Sequence, residues 1–425
     1  MAGKKGKLPP HVTPKQFLHP GIEHPVIRLL DKVEDVRQPS ISFSYCLTSV
    51  LFMIITAILC GAKDWPQVVV MSEGMVDWLA RYVDMSSGVP CERTFKNLIN
   101  SLNQDAMEDV LRELSNLIRQ KIPQEVVSID GQTARGTSEK AIGDKIHLLN
   151  AWSAENRLCL GQLKVDDKSN EIPSVPQLMD LLDLQGTIVT TDALNTQTVN
   201  AAKAIEKGAD YIFPVKGNQP SLLEEIILAF KGVDADRKIA QEQWQYAVAK
   251  AKEHKDEPRL SKLLTNGPNT CGVFRYTSEV EKAHGRIETR SCMAIPAGDL
   301  PCRNNWKGLS SLIRIERQRI LDGKTSQETV YYISSLSASN AKLIADAVRK
   351  HWSIEGNLHW YLDVVFKQDK SRYRDRVGAC NLAAIRKIAL NALTRETSRK
   401  GSIATKQAAA AVNPLYRDKI LKNLF

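Results

Sequence analysis

Two aspartates stand directly after short apolar runs rich in β-branched residues, a position where carboxylates can do metal chemistry. Asp130 follows VVSI and precedes a glycine, and Asp192 follows TIVTT. Such runs predict buried strands, and carboxylates at the ends of neighbouring strands converge at one edge of a sheet. Their hard oxygens suit Mg²⁺, and two ions about 3.5–4 Å apart stabilise the attacking and leaving oxygens in phosphodiester cleavage. The pair therefore predicts metal-dependent chemistry on a phosphodiester.

A metal pair needs a third carboxylate, and the sequence offers one far downstream, in RKHWSIEGNLHWYLDVVF (349–366). Glu355, His359 and Asp363 recur there at i, i+4 and i+8 and are predicted to share one helical face. Each signal alone also has a structural interpretation. An Asp-Gly pair is often a turn, Asp is a routine helix cap, and Glu with His beside tryptophans is often a packed face. The combination, in this order, favours the chemical interpretation.

The elements that must position these residues can be predicted from the chain after residue 125. Three strand-like runs are followed by helix, strand, helix, strand and helix, with Asp130 after the first strand and Asp192 after the fourth. This order is found in the ribonuclease-H-like fold, in which helices flank a mixed sheet. The predicted class is α/β, with a ribonuclease-H-like core interrupted by a mostly β insertion and preceded by an all-helical N-terminal domain.

The chain divides by composition into five predicted segments. Glu355 follows Asp192 at a distance far greater than one strand and helix require, so an insertion is predicted between them. In chain order the segments are a disordered basic arm (1–24), a helical N-terminal domain (25–121), the first part of the core (122–232), a mostly β insertion (233–335) and a closing part that carries the Glu-bearing helix and C-terminal helices (336–425).

Charge and cysteine usage limit the class of partner and the compartment. Lys and Arg outnumber Asp and Glu by 58 to 48, which gives a net charge of +10 and favours an anionic partner such as nucleic acid. Many basic proteins bind nothing anionic, so the net charge alone does not establish such a partner. The eight cysteines form no CxxC pair, which argues against a zinc ribbon or a disulfide framework and favours the cytoplasm.

One uncharged stretch raises the question of a membrane span. Residues 40–62 contain CLTSVLFMIITAILCGA, whose strongly apolar part is shorter than a span requires and includes Thr48, Ser49 and Thr56. Its apolar residues follow helical spacing. The stretch therefore predicts a buried core helix, and no membrane association is expected.

Several long motifs, taken together, resemble the bacterial DDE-type insertion-sequence transposases of the H-repeat-associated protein group. The motifs are SIDGQTARGT, LGQLKVDDKSNEIPSVPQLMDLLDLQGTIVTTDALNTQ, GADYIFPVKGNQ, HGRIETR, YYISSL and RKHWSIEGNLHWYLDVVFKQDKSRYR. Carried over by position, the family's catalytic triad falls on Asp130, Asp192 and Glu355. The sequence departs from the family's usual pattern at Gln132, Ala134 and Thr191, and none of these differences removes a proposed metal ligand.

The resemblance implies an activity and its partners. The three carboxylates are expected to hold Mg²⁺, with Mn²⁺ as a substitute and two ions bound, and to cleave double-stranded DNA at the ends of a mobile element. The freed 3′-hydroxyl would then attack target DNA, within a homodimer or larger synaptic complex. His359, Asp363 and His351 are expected to orient the carboxylates or to touch DNA.

Basic and polar residues near these motifs are predicted to contact the DNA backbone, although each can equally be a solvated surface. The segment ERTFKNLINSL (92–102) is a further hypothesis, as a DNA-recognition helix. The predicted DNA-binding residues are Lys216, Asn218, His284, Arg286, Arg290, Lys370, Arg372 and Arg374.

Two other interpretations remain open at the level of sequence. The same fold and triad can serve a nuclease that cuts without joining, and a domesticated or decayed copy can bind DNA without catalysis. The intact Asp130, Asp192 and Glu355 favour the active transposase.

Overall fold

A computed structural model of the chain describes residues 24–37, 45–134, 146–165, 171–268, 272–278, 280–283, 286–298 and 300–423. By its internal contacts the chain forms two units. The first comprises 1–122, 130–182 and 353–425, and the second comprises 123–129 and 183–352.

The first unit begins with helices, as predicted. Within the uncharged stretch, Leu47–Leu59 form a helix in which all 13 residues are buried, so the prediction of a core helix is confirmed. Within the described residues, we find no helix with both the length and the apolar character that a membrane crossing demands. The helices are α1 (Pro25–Asp31), α2 (Leu47–Leu59), α3 (Trp65–Glu73), α4 (Val76–Leu79), α5 (Glu92–Ser101) and α6 (Ala106–Ile118).

The first unit also holds the end of the first strand and a hairpin beside it. Strands β2 (Ile146–Ser153) and β3 (Leu158–Val165) pair antiparallel. The remaining helices are α7 (Glu171–Asp180), α12 (Arg376–Arg395), α13 (Ile403–Val412) and α14 (Pro414–Lys422). Helix α12 is buried along nearly its whole length, because it packs against α2, α5, α6 and β3. It is the central helix of this unit.

Strand β1 (Val126–Ala134) contributes residues to both units. In the second unit it pairs in parallel with β4 (Ile188–Thr191), and β4 pairs in parallel with β5 (Asp210–Val215). Helix α8 (Thr198–Glu206) connects β4 to β5. The predicted order of strands and helices is confirmed from β1 to the helix after β5.

The rest of the second unit extends this sheet with antiparallel strands, in the order β1-β4-β5-β10-β9-β8-β6, with β7 on β8. Strands β9 and β10 form a hairpin whose turn places Asp322 and Gly323 at φ 49° and 74°, the left-handed backbone that a tight hairpin turn requires. The elements are α9 (Pro220–Glu253), α10 (Glu257–Asn266), β6 (Phe274–Thr277), β7 (Glu281–Ala283), β8 (Arg286–Pro296), β9 (Ser311–Leu321), β10 (Lys324–Ser334) and α11 (Ala341–His351).

The predicted segment boundaries remain predictions. Helix α9 runs through the boundary proposed at 232, so the predicted insertion begins within a helix before its strands follow. The predicted basic arm lies outside the described residues, apart from His24.

Candidate metal centre

Asp130 lies on β1, within the first unit. Its carboxylate is partly buried, and its Oδ1 accepts a hydrogen bond of 2.9 Å from the backbone N–H of Gly131. This bond holds the side chain close to its own backbone and leaves Oδ2 directed at a neighbouring histidine, His359, whose Nδ1 is 3.8 Å away. The orientation of Asp130 therefore depends on where Gly131 is placed.

Glu355 and His359 lie on a helical segment of unusual geometry. Residues Glu355–His359 and Tyr361–Val365 are π-helical, a geometry that the spacing did not indicate, and the i, i+4 pair still meets. Single-turn π-helical stretches are frequent at functional sites. His359 Nδ1 lies 3.4 Å from Glu355 Oε2.

The contacts of His359 indicate which of its ring nitrogens carries the proton. Its ring is buried, and Asn150 Nδ2 approaches Nε2 at 3.5 Å. An amide nitrogen can only donate, so Nε2 accepts and the ring proton of neutral His359 sits on Nδ1. The Nδ1–H is then directed at the carboxylates of Glu355 and Asp130. In this arrangement His359 orients the carboxylates as a hydrogen-bond donor.

The donor set fits a divalent cation. Asp130, Glu355 and His359 each offer a ligand atom, and these atoms lie within 4.8 Å of one another. Two carboxylates suit Mg²⁺ or Mn²⁺, and with its proton on Nδ1 the imidazole supports them as a hydrogen-bond donor and not as a ligand. Glu355 is more than half exposed, which gives an ion access from solvent.

Asp192 lies in the second unit, directly after β4. Within this unit the register of β1 and β4 pairs Ile129 with Thr191, the residue before Asp192. Asp192 Oδ1 accepts from the backbone N–H of Asn195 at 3.1 Å and from its side-chain amide at 2.9 Å. These bonds make the start of the loop after β4 a turn that holds the carboxylate.

His351 and Asn218 support the loop and strand that carry Asp192. His351 Nδ1 lies 2.9 Å from the hydroxyl of Thr190 on β4, which in turn donates to Ser128 on β1. The exposed Asn218 donates from its amide to the carbonyl oxygen of Ala193 at 2.7 Å. Both residues thus have a structural contact in the second unit, and their predicted contacts with DNA remain predictions.

Asp363 is not part of the cluster formed by Asp130, Glu355 and His359. It accepts a 3.0 Å hydrogen bond from Gln132, which is buried on β1 two residues after Asp130, and Gln132 Oε1 lies 3.5 Å from Gln368 Nε2. Alternate residues of a strand share a face, so Gln132 and Asp130 both face the Glu-bearing segment. The sequence could indicate through this alternation that Gln132 shares a face with Asp130. It could not indicate the partner Asp363, which lies far away in the chain.

Among the predicted DNA-binding residues, two arginines form ion pairs with glutamates, and several other residues are exposed. In the second unit Arg290 forms ion pairs with the buried Glu288 and, at 3.6 Å, with Glu281, while Arg286 lies 3.6 Å from Glu288. His284 lies outside the described residues. The exposed residues are Lys216 in the second unit, and Lys370, Arg372 and Arg374 in the first.

Known proteins resemble the chain over most of its length. A family model described as "Transposase DDE domain" matches residues 121–392, and one described as "DDE_Tnp_1-associated" matches residues 27–114. "Putative transposase YncI" of Escherichia coli O157:H7 is 31% identical over 92% of this chain and 92% of its own length. "H repeat-associated putative transposase YhhI" of Escherichia coli K12 is 30% identical over 92% of this chain and 95% of its own.

A solved structure, the piggyBac transposase synaptic complex with hairpin DNA, superposes with a TM-score of 0.43 at 12% identity, over 93% of this chain and 77% of that one. The two family models cover the helical N-terminal region and the sheet with its acidic residues, in the order that the sequence predicts. The chain belongs to the DDE transposase family.

Proposed function

We propose that this protein is an active, metal-dependent DNA transposase, which cleaves DNA at the ends of an insertion sequence and joins the freed 3′-hydroxyl to target DNA. The observation that carries the proposal is the convergence of Asp130, Glu355 and His359 inside the region that matches the DDE domain. A carboxylate pair flanked by a buried histidine is a suitable site for a divalent cation. Site and family thus support the same chemistry.

Asp130, Asp192 and Glu355 are the proposed metal ligands, for Mg²⁺ or Mn²⁺ and for two ions. Bound ions of this kind supply charge stabilisation to the attacking and leaving oxygens of phosphodiester cleavage. The N–H of Gly131 holds Asp130, the N–H and amide of Asn195 hold Asp192, and the Nδ1–H of His359 faces Glu355. Hydrogen bonds thus direct Asp130 and Asp192 before any ion binds, and a donor stands beside Glu355.

Double-stranded DNA is the proposed partner, met in the cytoplasm and held within a homodimer or larger complex. The net charge of +10 supports an anionic partner. The exposed Lys370, Arg372 and Arg374 follow the Glu-bearing segment directly in the chain. They are the proposed contacts for DNA backbone phosphates.

The test is excision and joining of a marked DNA segment bounded by the gene's native flanks, with Mg²⁺, for wild type and for Asp130→Asn, Asp192→Asn and Glu355→Gln. Each near-isosteric change removes one charged ligand, so we expect cleavage and joining to fall by at least about 100-fold with end binding retained. Lys255→Gln, an exposed residue after α9, is the control.

Separate assays on intact and pre-cut ends distinguish the remaining outcomes. Cleavage without joining of pre-cut ends would show a nuclease. Specific end binding without cleavage in the wild type would show a domesticated or decayed protein and would overturn the proposal.

A further inference from the structure

A buried histidine and glutamate in the first unit form a pair that neither the sequence motifs nor the proposed chemistry uses. His147 on β2 and Glu171, the first residue of α7, are 4% and 2% exposed. His147 Nε2 lies 2.9 Å from Glu171 Oε2, and its Nδ1 lies 3.0 Å from the hydroxyl of Thr133 on β1. Both ring nitrogens are therefore engaged, and the ring is held in one orientation.

This His147–Glu171 pair lies against the residue that follows Asp130. A Cβ built on Gly131 would come within 2.4 Å of His147 Nε2 and 2.8 Å of Glu171 Oε2. Real Cβ atoms do not approach other atoms so closely, so the pair occupies the space that any side chain at position 131 would need. Gly131 is required here by close approach, since its φ is not in the left-handed region.

The contact reaches Asp130 through one hydrogen bond. The N–H of Gly131 donates to Asp130 Oδ1, so a displacement of Gly131 displaces the donor that orients the carboxylate. Thr133, two residues further along β1, is held by the same imidazole. The pair thus contacts β1 on both sides of Gln132, next to the proposed metal ligand.

Burying such a pair has an energetic cost that packing alone does not explain. Two polar side chains removed from water are generally no more stabilising than apolar residues of similar volume. Their value is a defined geometry, because a buried and fully hydrogen-bonded pair has few alternative arrangements. Groups that orient a ligand residue typically change metal affinity or activity by about 10- to 100-fold when they are removed.

We infer that the His147–Glu171 pair is a positioning device, which supports the backbone at Gly131 and thereby aims Asp130 at the divalent cation. The functional consequence rests on the proposed function, whereas the steric coupling between position 131 and the pair does not. Each can therefore be tested separately.

The steric test is a double-mutant cycle on thermal unfolding of the full chain without metal. Gly131→Ala should lower the melting temperature by several degrees in the wild type, because the new methyl group meets the imidazole. In a His147→Ala background the same change should cost at most half as much, since the imidazole, which makes the closest of these contacts, is gone. An equal cost in both backgrounds would show that the pair does not support Gly131, and would overturn the inference.

The positioning test is the Mn²⁺ dissociation constant of the purified full chain, followed by electron paramagnetic resonance. We expect Glu171→Ala and His147→Ala to weaken Mn²⁺ binding about 10-fold or more, and Glu171→Gln, which keeps an oxygen acceptor, to restore most of the loss. Glu108→Ala removes another buried glutamate of the same unit and controls for general destabilisation; its Mn²⁺ affinity should remain that of the wild type.

Asp130→Asn separates failure of this inference from failure of the proposed function. If Asp130→Asn weakens Mn²⁺ binding while the pair variants do not, the metal site stands and the positioning role is overturned. If Asp130→Asn leaves Mn²⁺ binding unchanged, the metal site of the proposed function fails, and the positioning role fails with it. Weakening in all three alanine and asparagine variants, with rescue by Glu171→Gln, supports both.

Discussion

At the scale of single residues, His359 is the side chain whose contacts most directly test the proposed chemistry. It is buried, accepts from Asn150 and presents its Nδ1–H to two carboxylates. We expect His359→Ala to reduce Mg²⁺-dependent cleavage about 10- to 100-fold and to raise the Mg²⁺ concentration needed for half-maximal rate. His254→Ala, at the exposed end of α9, is the control. Unchanged cleavage by a folded His359→Ala protein would contradict an orienting role.

Gln132 is the second residue whose contact can be tested. Its amide donates to Asp363, so Gln132→Met removes the donor while it keeps the side chain's length. Because the acceptor is a carboxylate on a partly buried residue, we expect the free energy of unfolding in urea to fall by about 1–3 kcal/mol. Gln327→Met changes an exposed glutamine on β10 and should be nearly neutral. Equal effects of the two changes would show that the hydrogen bond does not stabilise the Glu-bearing segment.

The sequence predicted the carboxylates of the candidate site and the orienting His359, but not the polar side chains that contact the first strand around Asp130. Asp130 and Glu355 were predicted because each stands at a recognisable place in a strand or helix pattern, and these two residues do lie close to a common histidine. The partners Gln132 and His147 are polar residues inside apolar runs, and their contacts join distant segments. A periodicity reports which face a residue occupies and does not report which residue it meets.

At the scale of elements, the sequence predicted which strands and helices form but did not indicate the π geometry of one helical segment. The order from β1 to α9 follows from alternating β-branched runs and amphipathic stretches. The π-helical segments around His359 were not predictable, because π- and α-helices place an i, i+4 pair on nearly the same face. The difference is one of backbone hydrogen bonding, which the residue pattern does not report.

A buried polar network joins three elements of the first unit and makes its stability depend on pH. Glu108 on α6 accepts from Gln162 on β3, and Gln162 accepts from Lys387 on α12 at 2.7 Å. Burial raises the pKa of Glu108 to about 7 from an ordinary value of 4.5. Burial also lowers the pKa of Lys387 to about 8. Both shifts disfavour the charged forms inside the fold.

The sign for Glu108 follows from linkage. A raised pKa contributes stability that is fully present below the unfolded value near 4.5 and is lost as the pH rises through about 7. Between these pH values the wild type should lose on the order of 2–3 kcal/mol of unfolding free energy through Glu108, and Glu108→Gln should not show this loss. The difference in unfolding free energy between the two proteins, measured across the pH range, gives its size. Glu113→Gln, which changes a partly exposed carboxylate on the same helix that pairs with Lys32, is the control. Parallel pH curves for wild type and Glu108→Gln would contradict the prediction.

At the scale of the whole molecule, the net charge follows from the composition, whereas the structure shows which individual cations form ion pairs. Arg290 contacts Glu288 and Glu281, so part of its charge is compensated within the second unit. Arg372 is exposed, just beyond the Glu-bearing segment of the first unit. If DNA is held through its phosphates, exposed cations such as Arg372 should determine the salt dependence of binding.

The charge argument gives a prediction for the equilibrium with DNA. Each phosphate contact that is lost should reduce the slope of log K against log salt by about 0.9, so Arg372→Gln combined with Arg374→Gln should reduce it by nearly 2. Lys419→Gln combined with Lys422→Gln removes two exposed cations from α14 and leaves the same net charge. Fluorescence anisotropy on an element-end duplex, across a series of salt concentrations, measures both slopes. A diffuse attraction by total charge would reduce the two slopes equally, whereas phosphate contacts beside the Glu-bearing segment would reduce only the first.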